Sequence, residues 1–126
     1  MRLPNFITLS GTTPAFVAAY KGRTDTLLSL IKAGCDVNRA NENGTPLPVK
    51  SYKSGVTPAF VAAFKGHTEA LIALIQAGSD VNLVRNDGIA PVHSAAWGGH
   101  TDTLKVLIAA GISSTQAQSH YTRLRR

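Results

Sequence analysis

The sequence has few of the features that catalysis, export or membrane insertion require. Cys35 is the one cysteine in 126 residues, so an internal disulfide is excluded and we expect a reducing compartment, the cytoplasm or nucleus. No apolar run approaches the roughly 18 residues of a membrane span, and Met1 to Leu9 is too interrupted for a signal peptide. A phosphate loop, paired cysteines and a His-Glu-x-x-His motif are all missing, so we expect no enzyme, cofactor or metal.

Acidic residues are also scarce, and the formal net charge is +6. Much of the excess lies in a tail, residues 116–126, which contains Arg123, Arg125 and Arg126. One alternative function is therefore that this tail binds nucleic acid or an anionic membrane, with an affinity that falls steeply with salt. No nucleic-acid-binding motif accompanies the tail, so we favour a solvated tail and expect no nucleic-acid partner.

What the chain does have is one pattern repeated three times. The copies begin at Thr13-Pro14, Thr57-Pro58 and Ala90-Pro91, at intervals of 44 and 33 residues. A period of about 33 is typical of helical repeat arrays, so the first interval contains an insertion of about 11 residues. Each copy predicts a first helix, a glycine turn, a second helix with an apolar stripe and a glycine stop. The predicted first helices run from Pro14 to Lys21, Pro58 to Lys65 and Pro91 to Gly98, and the stops are Gly34, Gly78 and Gly111.

Threonines are predicted to begin most of these helices. Thr13 and Thr57 precede proline at the N-cap, where the side-chain oxygen stabilises the helix by about 1 kcal/mol. Ala90 lacks that oxygen, so the third copy should begin more weakly. Thr24, Thr68 and Thr101 are predicted to cap the second helices, each with an acidic residue next.

The amino-acid pattern of the copies resembles that of the ankyrin repeat family. Ala18 to Gly22 and Ala62 to His67 look like its Ala-Ala-x-x-Gly-His motif, and Ala33 to Asn38 and Ala77 to Asn82 look like its Gly-Ala-Asp-Val-Asn ending. The resemblance implies an all-α solenoid over residues 1–115. We place its repeats at about 11–43, 55–87 and 88–115, with the insertion at 44–54.

The resemblance also gives roles to the histidines. It implies that His67 and His100 bond across the turn and between repeats, and that His93 caps a first helix. Phe16 and Phe60 take the place of His93 in the first two repeats, so we expect apolar packing there. Cys35 aligns with the small Ser79, and we expect an inert thiol.

One aromatic position recurs in all three repeats. Tyr20, Phe64 and Trp97 share it, and Lys21 and Lys65 follow the first two. The resemblance places this position in the concave groove of the solenoid, where rings and cations are common in binding hot spots. The alternative is that the rings cover the core of the next repeat.

The insertion predicts an enlarged finger between repeats one and two. It contains Lys50, Tyr52 and Lys53, and long loops in compact domains are often functional. A solvent loop without function is the alternative, since added loop length costs little free energy. Val56 and Ile89 lie on the links and complete the predicted binding residues.

These observations predict a monomeric, non-catalytic module that binds another protein through its groove and finger. The lysines favour a partner with acidic residues. A further alternative is a structural piece of a longer ankyrin array, because neither end shows a clear polar cap.

Overall fold

The computed structural model describes residues 12–41, 55–85 and 87–111, and within them the chain forms six helices and no strand. The first helices of the repeats are α1 (Pro14–Lys21), α3 (Pro58–Lys65) and α5 (Pro91–Trp97). The second helices are α2 (Thr24–Lys32), α4 (Thr68–Gln76) and α6 (Thr101–Ala109). The predicted all-α fold of three helix pairs is confirmed. None of these six helices is long and apolar enough to cross a membrane.

The first helices begin as predicted. The Thr13 hydroxyl accepts a hydrogen bond from the Phe16 amide, and the Thr57 hydroxyl accepts one from the Phe60 amide, both at 3.1 Å. At α5 the alanine offers no such oxygen, and His93 Nδ1 accepts a hydrogen bond from the Ala90 amide at 2.9 Å. A ring nitrogen therefore satisfies the N-cap amide of α5.

The second helices begin one residue earlier than predicted. Thr24, Thr68 and Thr101 are the first helical residues, and the N-caps are Arg23, His67 and His100, which make no side-chain cap bond. The reason is the tight glycine turn. Because the turn is short, the backbone is already helical at the threonines. The carbonyl of the residue before each threonine therefore accepts the first helical hydrogen bond, as the Arg23 carbonyl does from the Leu27 amide. The prediction of threonine caps was wrong at these three positions.

The helices stack in two layers. Helices α1, α3 and α5 pack side by side in one layer, and α2, α4 and α6 pack in the other. Between the layers lie fully buried side chains that come from all three repeats: Leu27, Phe60, Leu71, Leu74 and Leu107. These side chains belong to one cluster, so the core is continuous through the stack. Burying each leucine or phenylalanine side chain contributes about 1.5–3 kcal/mol.

Phe16 and Phe60 confirm the expected apolar packing. Their side chains are 3% and 1% exposed and belong to the core cluster. Each ring occupies the position of His93 in the third repeat. The first two repeats thus gain buried area where the third gains a hydrogen bond.

Two hydrogen bonds that we call the histidine staples join successive repeats. His67 Nε2 lies 3.1 Å from the Tyr20 carbonyl oxygen, and His100 Nε2 lies 3.0 Å from the Phe64 carbonyl oxygen. Because a carbonyl only accepts, Nε2 is the donor in both. The inter-repeat role that the resemblance implied for these histidines is confirmed.

The link between repeats one and two is the first finger, and the link between repeats two and three, residues 83–89, is the second finger. A pair of backbone hydrogen bonds, which we call a clasp, closes the base of each finger. In the second finger, the Arg85 amide donates to the Ile89 carbonyl and the Gly88 amide donates to the Arg85 carbonyl, both at 2.8 Å. In the first, Asn41 makes the equivalent bonds with Val56 at 3.0 Å and Gly55 at 2.9 Å. Asn41 Oδ1 adds a third bond, accepting from the Val56 amide at 2.7 Å.

Apart from this third bond, the two clasps differ in the length of chain that they enclose. Thirteen residues separate Asn41 from Gly55, whereas two separate Arg85 from Gly88, so the whole insertion lies inside the first clasp. The repeats on either side therefore keep their register. Residues 42–54, which include the predicted insertion 44–54, lie outside the described residues.

We expect that the first finger can be shortened without loss of the fold. Replacing residues 42–54 by Asn-Asp, the pair at 86–87, should raise the free energy of unfolding by about 1 kcal/mol, because a shorter loop costs less entropy to close. Urea unfolding followed by circular dichroism measures this. A Gly-Ser segment of the original 13-residue length is the control and should leave the stability near that of the wild type. A shortened chain that unfolds would show that the finger holds the repeats together.

Two glycine-to-alanine substitutions should separate two contributions to the loss of stability. One is the strain of a positive φ, and the other is a steric clash with a staple histidine. Gly66 and Gly78 have φ values of 74° and 98°, so alanine at either site costs about 1–2 kcal/mol. A Cβ on Gly66 would lie 2.5 Å from the His100 ring, whereas one on Gly78 would meet nothing within 4 Å. Gly66→Ala should therefore cost roughly 1–3 kcal/mol more than Gly78→Ala in urea unfolding. Equal losses would contradict the importance of the staple.

Candidate partner-binding surface

The recurring aromatic residues lie at the ends of the first helices, and we call Tyr20, Phe64 and Trp97 the ring ladder. Tyr20 and Phe64 are half-buried and pack against the core, while Trp97 is 63% exposed. The first two rings thus combine a packing role with an accessible edge, and Trp97 presents most of its surface. Their use in a groove stays a prediction.

The structure brings Lys65 against Tyr20 across the boundary between repeats one and two. Lys65 Nζ lies 5.1 Å from the centroid of the Tyr20 ring, within cation–π distance. Lys21 and Lys65 are both exposed. A ring and an ammonium group from successive repeats therefore form one contiguous element of the surface.

The binding residues predicted on the links and the finger differ in their exposure to solvent. Val56 is fully buried in the core, so its side chain cannot contact a partner while the repeat is folded, and we remove it from the surface. Its amide and carbonyl instead serve the clasp. Ile89 is half-buried against the core and presents only part of its side chain. Lys50, Tyr52 and Lys53 lie outside the described residues.

Arg85 is a residue of the second finger that sequence reasoning missed, and its side chain is only 13% exposed. Its Nε and Nη2 donate to the two carboxylate oxygens of Asp87 at 2.8 and 2.7 Å, and its guanidinium lies 5.4 Å from the buried Phe60 ring. The hydrogen bond from Arg85 lowers the pKa of the Asp87 carboxyl. Because this fork depends on the turn of the finger, the Arg-x-Asp spacing alone did not reveal it.

Two exposed apolar side chains stand beside that fork. Leu83 and Val84 are 37% and 40% exposed at the start of the second finger. The first repeat has Arg39 and Ala40 at these positions, so a comparison of the repeats was the available signal. They are a second group of exposed apolar side chains, on the second finger, that a partner could contact.

Ionisable groups elsewhere in the described part of the chain are dispersed. No three histidine, cysteine or carboxylate side chains there are placed to hold a metal. A shallow polar cleft of about 440 Å³ opens between the starts of α2 and α4. Its charged lining residues are Arg23, Asp25 and Glu69.

Comparison with known families agrees with this architecture. Two models described as ankyrin repeats match the chain, one over residues 53–108 and one over residues 10–42. The chain belongs to the ankyrin repeat family. Ankyrin repeats are generally protein–protein interaction modules, and the family is typically non-enzymatic. A search of curated proteins gave no match.

The thiol of Cys35 should react slowly in the folded protein. Burial, and secondarily the neighbouring Asp36 carboxylate, raise the pKa of this thiol, so less thiolate is present at neutral pH. We expect labelling with a chromogenic disulfide to be several-fold slower in buffer than in urea. The difference should shrink as the pH rises towards the raised pKa. Equal rates at neutral pH would contradict this picture.

Proposed function

We propose that this chain is a non-catalytic module that binds another protein through the ring ladder and the lysines beside it. The observation that carries the proposal is the 63% exposure of Trp97 at the repeat position of Tyr20, whose ring lies against Lys65. Exposed tryptophan and tyrosine are the side chains most enriched in binding hot spots. The apolar Leu83 and Val84 on the second finger would widen the contact.

The arrangement of charge supports a partner with acidic residues at the ring ladder. Lys21 and Lys65 end first helices, whereas Asp25, Glu69 and Asp102 occupy the first turns of second helices. Cations and carboxylates therefore lie at different positions of the repeat. Such separation speeds encounter with a partner of opposite charge more than it adds affinity.

The folded body offers less support for a nucleic-acid ligand. The described residues include seven lysines and arginines and six aspartates and glutamates, so most of the net charge of +6 lies elsewhere in the chain. Nucleic-acid affinity depends on several cations that neutralise phosphates together. We therefore favour a protein partner, and we propose an intracellular location in line with the single cysteine.

An affinity capture with matched variants tests the proposal. The groove variant combines Lys21→Ala, Lys65→Ala and Trp97→Ala, three exposed side chains whose loss should leave the core intact. We expect its capture of a specific protein from a lysate to fall about 30-fold, which corresponds to about 2 kcal/mol for one hot spot. Mass spectrometry identifies the captured protein and quantifies it.

The control combines Leu28→Ala, Ile72→Ala and Lys105→Ala, which occupy one exposed position of the three second helices. This variant should capture the partner as the wild type does. Circular dichroism must show that both variants stay helical. If the control loses capture and the groove variant retains it, the second-helix side is the binding surface and the proposal fails.

A further inference from the structure

The last described repeat exposes a face that the other repeats cover. Ala19 and Ala63 are fully buried, whereas Ala96 at the same position is exposed. Ile31 and Ile75 are half-buried, whereas Ile108 is 57% exposed. In repeats one and two, the following repeat packs over the residues at these positions and buries them. Ala96, Trp97 and Ile108 therefore form an open, apolar face, which we call the trailing face.

The first repeat exposes the opposite half of the same interface. Val17 is 37% exposed, whereas Val61 at the same position is fully buried. Thr26 is exposed, whereas Thr103 at the same position is 1% exposed. We call Val17 and Thr26, with the half-buried Leu30, the leading face. One chain thus presents both halves of a repeat–repeat contact, at opposite ends of the stack.

The polar groups of the two faces also match. Between repeats two and three, the hydroxyl oxygens of Thr68 and Thr103 lie 2.8 Å apart. Thr101 occupies the position of Thr68, and Thr26 occupies the position of Thr103. If the leading face of another copy were laid on the trailing face, Thr101 and Thr26 would form the same pair.

The staple position has a matching donor. The carbonyl of Trp97 corresponds to the two carbonyls that accept the histidine staples, and Arg23 takes the place of His67 and His100 in the first repeat. A guanidinium carries five N–H donors and stacks readily on an aromatic ring. Arg23 of another copy could therefore donate to the Trp97 carbonyl or lie over its indole.

We propose that a second copy of this chain docks head to tail, with its leading face on the trailing face. The monomer expected from the sequence would then be the species present at low protein concentration. The two faces differ and point in opposite directions, so the contact is heterologous and further copies can add in a row. The contact involves one repeat on each side, so the association is reversible and concentration-dependent.

Sedimentation velocity on the full chain tests this, with one variant that blocks each face. Ile108→Glu places a carboxylate on the trailing face and leaves the leading face intact, and Val17→Glu does the reverse. From about 10 µM to about 1 mM, the mean mass of the wild type should rise, while each variant alone stays monomeric. An equimolar mixture of the variants should form one-to-one dimers and nothing larger, with a dissociation constant near that of the wild type.

Leu28→Glu is the matched control, since Leu28 is 46% exposed on α2 at the position of Lys105. It should associate as the wild type does. If either blocking variant loses helicity, Ala96→Glu and Thr26→Glu replace them, because both positions are exposed. Trp97 belongs to both the ring ladder and the trailing face, so a docked copy would compete with the proposed partner for it. None of these substitutions changes Lys21, Lys65 or Trp97, so failure here would leave the proposed function standing.

Three outcomes would overturn the proposal. A wild type that stays monomeric throughout would exclude head-to-tail docking of two copies at these concentrations. Association of Val17→Glu alone would indicate that two trailing faces meet. A mixture of blocked variants that stays monomeric would exclude the pairing of the two faces.

Discussion

The architecture depends on the hydrogen bond between a histidine of one repeat and a backbone carbonyl of the repeat before it. His67 and His100 each reach back to the last turn of the preceding first helix and donate to a backbone carbonyl oxygen there. Gly22 and Gly66 make room for the rings, because a Cβ there would lie 2.7 and 2.5 Å from them. The acceptors belong to Tyr20 and Phe64, so one bond sets both the stacking of repeats and the placement of the candidate binding residues.

Much of this fold could be read from the sequence, because its signals are local. Thr13 before Pro14 fixes a helix start through one side-chain bond, and Gly78 fixes a stop through its backbone conformation. Phe60 was predicted to pack against apolar residues because it takes the position that His93 has in the third repeat. Each inference needed only a few adjacent residues and the repeat period.

What could not be predicted depends on how the chain turns in space. The glycine turns begin the second helices before Thr24 and Thr68, and no residue type signals that shift of one position. Val56 was assigned to the surface because it lies on a link, yet the clasp turns its side chain into the core. The fork between Arg85 and Asp87 needs the closed second finger, so it too appears only in three dimensions.

The clasp at the base of the first finger has a consequence for engineering. Asn41, Gly55 and Val56 hold the two ends of the enclosed segment together by three hydrogen bonds, none of which involves the residues between them. If the shortened chain keeps its fold, the segment between Asn41 and Gly55 can be exchanged without loss of the helical repeats. A foreign peptide placed between Asn41 and Gly55 would then be held at both ends by the clasp, and the chain would serve as a scaffold for presenting epitopes.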